Sequence, residues 1–183
     1  MNSLRHGTAP APAMVAYIAA RGTADWTAAD AEPRAALPGA LAAWLAQQDF
    51  PGLRARDANG DTPLMRAAWQ GEEAVVEALL ACGAVPDALN DDGNSALWFA
   101  CLHGGPATIL RLVEAGAPID HANDDDITCL MQAAASGRVE IVRMLLALGA
   151  APHLSAPDGR NAFDMAADRG LELLRLARRV GGR

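Results

Sequence analysis

Leu64, Leu97, Leu130 and Phe163 follow one another at intervals of 33 residues. The same interval separates Ala67, Ala100, Ala133 and Ala166, and again Gly71, Gly104, Gly137 and Gly170. A spacing kept by three residue types at once constrains the fold more than any single motif. It means that one supersecondary unit is stacked, each copy burying its apolar side only against its neighbours.

The unit is clearest from Asp57 to Asn90, DANGDTPLMRAAWQGEEAVVEALLACGAVPDALN. It reads as a tight turn at Asn59-Gly60, a short helix from about Asp61 to Trp69, a Gly break, a second helix from about Glu73 to Cys82, and a Gly-Ala exit. Thr62-Pro63 is a helix start, because the Thr hydroxyl can accept from free backbone N–H groups and Pro at the first helical position has no N–H to leave unpaired. Gly83, Gly116 and Gly149 follow the second helices, where the chain must turn through a left-handed conformation.

A 33-residue period carrying T-P-L-x-x-A-A, a Gly, a second amphipathic helix and Gly-Ala resembles the ankyrin repeat. The resemblance implies an all-α solenoid of stacked helix-turn-helix units joined by projecting β-turns or hairpins. Departures from the pattern have readings of their own. The helix starts are Thr62-Pro63-Leu64-Met65, Ser95-Ala96-Leu97-Trp98, Thr128-Cys129-Leu130-Met131 and Asn161-Ala162-Phe163-Asp164, so a capping side chain is kept where Pro is not. Asp126 stands where Gly60, Gly93 and Gly159 stand in the other turns. Asp tolerates positive φ better than most residues.

The expected organisation is a disordered leader at 1–13, an N-terminal helical cap or degenerate repeat at 14–56, regular repeats at 57–89, 90–122 and 123–155, and a C-terminal capping repeat at 156–183. Within the cap, residues 14–21 are expected to form a short helix. Trp26 to Ala36 corresponds to a first helix interrupted by Pro33. Pro38 to Gln48 corresponds to a second helix with Leu41, Trp44 and Leu45 as its apolar stripe. In the regular repeats, Glu72, Glu73, Glu77, Arg111, Glu114, Arg138, Glu140 and Arg143 read as a solvated face opposite the apolar stripe. The last helix is expected to turn Leu171, Leu173, Leu174 and Leu176 inward.

With 51% hydrophobic and only 4% aromatic residues, the core must be made of Ala, Leu, Val and Ile, which suits close helix stacking. The net charge of −7 argues against a nucleic-acid backbone or an anionic membrane as partner. No apolar run approaches the ~20 residues of a membrane span. The stretch APAPAMVAYIAA at 9–20 is a poor signal peptide, broken by two prolines, so the expected location is the cytoplasm and a periplasmic form beginning after about Ala20 is the alternative.

In ankyrin proteins the projecting turns and first helices form a concave surface that binds other proteins. Carried over position by position, the resemblance implies a surface of Asp61, Met65, Trp69 and Gln70 in the first regular repeat, with Ala58 and Asn59 at its turn. The second would add Asp91, Asp92, Asn94, Trp98, Leu102 and His103. Asp124, Asp125, Ile127, Met131 and Ser136 would come from the third, and Asp158, Arg160, Asp168 and Arg169 from the fourth. The turn tips on this list are acidic and two tryptophans lie beside them, the make-up of an interface hot spot. The expected partner is therefore a protein that offers a basic or mixed surface and an apolar anchor, bound by a chain that is monomeric when free. If Trp69 and Trp98 face that partner, replacing them by Ala leaves the thermal melt nearly unchanged.

Little in the sequence points to chemistry. Cys82, Cys101 and Cys129 lack CxxC spacing, and no base and carboxylate flank a Cys or Ser. The run Asn123-Asp124-Asp125-Asp126 lacks the alternation and distal Glu of a calcium loop, and the repeat accounts for the glycines. No enzyme activity and no cofactor or metal are expected. The competing reading is an enzyme accessory or metal-handling protein that uses Cys101, His103 and Cys129.

Overall fold

The computed structural model describes residues 37–167. The expected helices at 14–21, Trp26 to Ala36 and Leu171 to Leu176, together with Asp168 and Arg169, lie outside the described residues. Within them the chain is helical throughout, with α1 Gly39–Gln47, α2 Pro63–Gln70, α3 Glu73–Ala81, α4 Ala96–Leu102, α5 Pro106–Glu114, α6 Cys129–Ala135, α7 Val139–Ala147 and α8 Ala162–Ala167. None is long and apolar enough to cross a membrane.

The helices form two rows. First helices pack on first helices, α2 on α4, α4 on α6 and α6 on α8, while second helices pack in the order α1, α3, α5, α7. The place of α1 in the second-helix row matches the sequence reading of Pro38 to Gln48, and Leu41, Trp44 and Leu45 are its buried residues. Leu64, Leu97 and Leu130 lie 1%, 0% and 1% exposed, so the residues that define the period form the seam between the rows. Beside them Ala67, Ala100 and Ala133 are fully buried. At these three positions the inner helices pack on a methyl group, and a larger side chain here would push the repeats apart.

Local signals account for the helix ends. The hydroxyls of Thr62, Ser95 and Thr128 accept from the backbone N–H of Met65, Trp98 and Met131. Gly83, Gly116 and Gly149 have φ of +88°, +96° and +97°, and the next residue's N–H returns to the last turn of the helix, as Ala84 does to Leu79 at 2.9 Å. Between repeats the chain makes a hairpin closed by single antiparallel bridges, Leu89 with Ser95, Ala122 with Thr128 and Ser155 with Asn161. The residue at each hairpin tip is left-handed. Gly60, Gly93 and Gly159 fill it at +75°, +72° and +83°, and Asp126 does so at +57°.

One residue of the expected solvated face lies elsewhere. Arg138 is half-buried and reaches back one repeat, donating to the carbonyls of Ala100, Cys101 and Gly104 at 3.3, 3.0 and 2.5 Å. The first two are carbonyls at the end of α4 that have no partner within the helix, and Gly104 lies in the loop that follows it. The guanidinium closes the helix from outside.

Candidate partner-binding surface

The hairpin tips are held in register by a row of buried and half-buried polar side chains. Asp57, Asn90 and Asn123 occupy the same position in successive repeats. Each turns its side-chain oxygen onto two N–H groups of its own hairpin: Asp57 takes Asn59 and Asp61, Asn90 takes Asp92 and Asn94, and Asn123 takes Asp125 and Ile127. The amide of Asn90 then donates to the Asp61 carboxylate at 2.7 Å, and the amide of Asn123 donates to the Asn94 oxygen at 3.0 Å. Main-chain bonds run beside these, from Asp91 N–H to the Asn59 carbonyl and from Asp124 N–H to the Asp92 carbonyl, both 3.1 Å.

Asp61 and Asn94 are 6% exposed. They belong to the scaffold rather than to a partner-facing surface, which corrects the expectation for both. Burial pushes the Asp61 carboxyl up from 3.8 to about 6, against the opposing hydrogen bond from Asn90.

Met65 and Met131 are each 1% exposed and lie in the core. The Met65 sulfur accepts from the Thr62 N–H at 3.3 Å, completing a reciprocal cap in which a thioether takes the place of the usual carboxylate or amide. Both were expected at the surface, and both instead fill space between the inner helices, as an unbranched side chain does readily.

The tryptophans are half-buried and pack against the core. Trp69 meets Phe99 edge to face at 5.6 Å and lies against the His103 ring at 4.1 Å, and Trp98 meets Phe99 edge to face at 5.4 Å. Aromatic pairs of this kind contribute about 1 kcal/mol beyond burial. Alanine at either position therefore lowers the melt, contrary to the expectation that it would not. Burial, followed by the charge of Arg138, holds the His103 imidazole below its ordinary value, so at neutral pH a neutral ring lies tilted against Trp69.

What remains open to solvent is a coherent set. Gln70 and His103 are exposed at the ends of the inner helices, Trp69 and Leu102 are half-buried between them, and Asp91, Asp124, Asp125 and Asp126 are exposed at the tips with Asp92 half-buried. Ile127 is half-buried, and in the last hairpin Asp158 and Arg160 are exposed and pair at 2.6 Å. The Arg160 N–H and guanidinium hold the Asp158 carboxyl below its usual range.

Compared with protein families, residues 64–156 match the model for ankyrin repeats in three copies. The chain belongs to the ankyrin repeat family. None of the curated proteins compared with it matches. As an ankyrin protein it departs from the family's T-P-L-H start by placing Met65, Trp98 and Met131 at the His position, two in the core and the third in the aromatic cluster.

The metal-handling alternative finds no geometry. Among the described residues no three His, Cys, Asp or Glu side chains are grouped to hold an ion. Cys101 and Cys129 are fully buried beside one another, and a hydrogen bond between the thiols, with burial, pushes Cys101 well above the usual thiol range. Asn90, Asn123 and Arg138 were missing from the expected site. The first two share a 33-residue spacing with Asp57, a signal open to inspection before any coordinates.

Proposed function

We propose that the chain is a non-catalytic binding module that regulates or sequesters a partner protein, gripping it with the face made of the hairpin tips and the exposed ends of the inner helices. Ankyrin repeats are in general protein-interaction modules, and the family is typically non-catalytic. The observation that carries the reading is the alignment of exposed carboxylates Asp91, Asp124 and Asp125 on hairpins tied to one another by the Asn90 and Asn123 amides. A partner meets charges whose spacing is already set, so little ordering entropy is lost on binding. The partner this face suits is basic or mixed in charge, with an apolar group for Trp69 and Leu102.

Photo-crosslinkers at Gln70 and at Asp124 should capture the same protein, while one at Glu77 on the opposite row should not. Neutralising the tips together, as D91N/D124N/D125N, should weaken capture and remove its salt sensitivity, with a change in stability within about 0.5 kcal/mol as for ordinary surface substitutions. Capture from Glu77 alone, or capture indifferent to the neutral tips, would overturn the proposal.

A further inference from the structure

A cavity of about 240 Å³ opens at the junction between the N-terminal unit and the first regular repeat, and none of its lining residues belongs to the partner-facing set. Leu53 and Leu64 form a buried floor at 4% and 1% exposure, Val85 forms a wall at 43%, and Ala88, Arg54 and Arg56 complete it.

Comparison between repeats explains why the space exists here. One and two repeats further on, the position of Ala88 is taken by His121 and Leu154. His121 reaches the Gly93 carbonyl at 2.8 Å and Leu154 packs against the core. At the cavity Arg56 instead reaches the equivalent carbonyl, that of Gly60, and the methyl group at 88 leaves the space beside it open.

The charge is also reversed. Arg54 occupies the position of Asp87 and Asp120, and Arg56 that of Leu89 and Ala122. Arg56 is anchored through one terminal nitrogen, which donates to the carbonyls of Gly60 and Leu89. Its remaining donors and the whole of Arg54 have no carboxylate partner among the described residues. In a chain of net charge −7, two arginines with no acid paired to them among the described residues, beside an apolar hollow, are a local exception. Asp87 lies in the same loop but does not line the cavity.

We propose that this cavity binds a branched aliphatic carboxylate, its hydrocarbon against Leu53, Leu64, Val85 and Ala88 and its carboxylate on Arg54 and Arg56. The volume lies below the ~300 Å³ at which drug-sized pockets begin, so the ligand is a short one, such as a leucine-like chain with its acid. A free short acid and the C-terminal residue of a peptide share this chemistry. A guanidinium fork suits the planar anion.

The test titrates the full ¹⁵N-labelled chain with 4-methylpentanoate, and separately with a short peptide ending in Leu as its free acid and as its amide. Saturable shifts at Ala84, Val85 and Ala88 are expected. Response to the free acid identifies a small-molecule source, and response to the peptide acid alone identifies a chain terminus. R54D should weaken binding about tenfold, the loss of one charge-assisted hydrogen bond, and A88L should abolish it. Both variants copy residues that this chain already carries at equivalent positions, so both should fold, and the thermal melt checks that they do. No saturable shift with either acid, equal binding of the peptide amide, or unchanged binding to R54D and A88L would overturn the assignment.

Discussion

The junction between the first and second regular repeats and the junction between the second and third are tied at their tips in three ways, whereas at the next junction the means for each tie is missing. At the first two, Asn90 and Asn123 donate to Asp61 and Asn94. Asp91 and Asp124 donate their N–H to the hairpin before. Their carboxylates also lie so close over Gly60 and Gly93 that a Cβ there would sit 2.5 and 2.4 Å from an oxygen. At the third, the donor position is Ala156, the acceptor position is Ile127, the N–H position is Pro157, and the tip is Asp126 rather than Gly. Donor and acceptor are lost together, as they must be, because either one alone would be a buried polar group without a partner. Meanwhile α8 still buries Ala162, Met165 and Ala166 against α6. Helix stacking and tip registration are thus separable properties, and this chain gives up the second while keeping the first.

The sharpest way to break the contrast is N123A. It removes the donor to Asn94 and the acceptor for two N–H groups and should cost about 3 kcal/mol in denaturant unfolding. A156G, which removes a buried methyl group but no side-chain hydrogen bond at the untied junction, should not approach that cost.

Next comes Asp61. Its folded value of about 6 exceeds the ordinary 3.8, so between these pH values the folded chain holds a proton that the unfolded chain has released. Stability therefore falls as pH rises through this window, by about 3 kcal/mol in this carboxylate's contribution, and the loss is complete above about pH 6. D61N, which copies Asn94, should raise the melt at pH 8 and make little difference at pH 3. An unchanged melt at pH 8 would mean that the carboxylate is not penalised by its burial.

A smaller effect concerns the tips. G93A places a methyl against Asp124 at φ +72° and should cost about 2 kcal/mol, while D126G at the equivalent position should stay within about 1 kcal/mol of wild type. The smallest should come from building the missing tie. I127N and A156N should each destabilise alone, yet couple favourably by about 1 kcal/mol in a double-mutant cycle.

The sequence carried the architecture because the repeat period is enforced by packing. Leu64, Leu97 and Leu130 must meet across a seam, and the same requirement recurs every 33 residues. Asp126 was legible for a similar reason, since one tip position demands a left-handed residue in every copy. The site was less legible. Position in the family pattern says which way a side chain sets out, but not what the next repeat has waiting for it. Asp61 and Asn94 look like surface residues until an amide 29 residues later is seen to claim each of them. Met65 and Trp98 occupy one pattern position, yet the first is sealed in the core and the second is half-buried against Phe99. Arg138 looked like one more solvated charge because the carbonyls it closes belong to the end of a different helix and the loop after it, 34 to 38 residues earlier.

Cys101 and Cys129 sit fully buried on neighbouring inner helices, while Cys82 is partly open on the other row. An alkylating reagent needs an accessible thiolate, so in the native chain it should modify Cys82 promptly and wait for the other two until the second and third repeats part. The rate of that slow labelling is a native clock for local opening, available without introducing any probe into the protein.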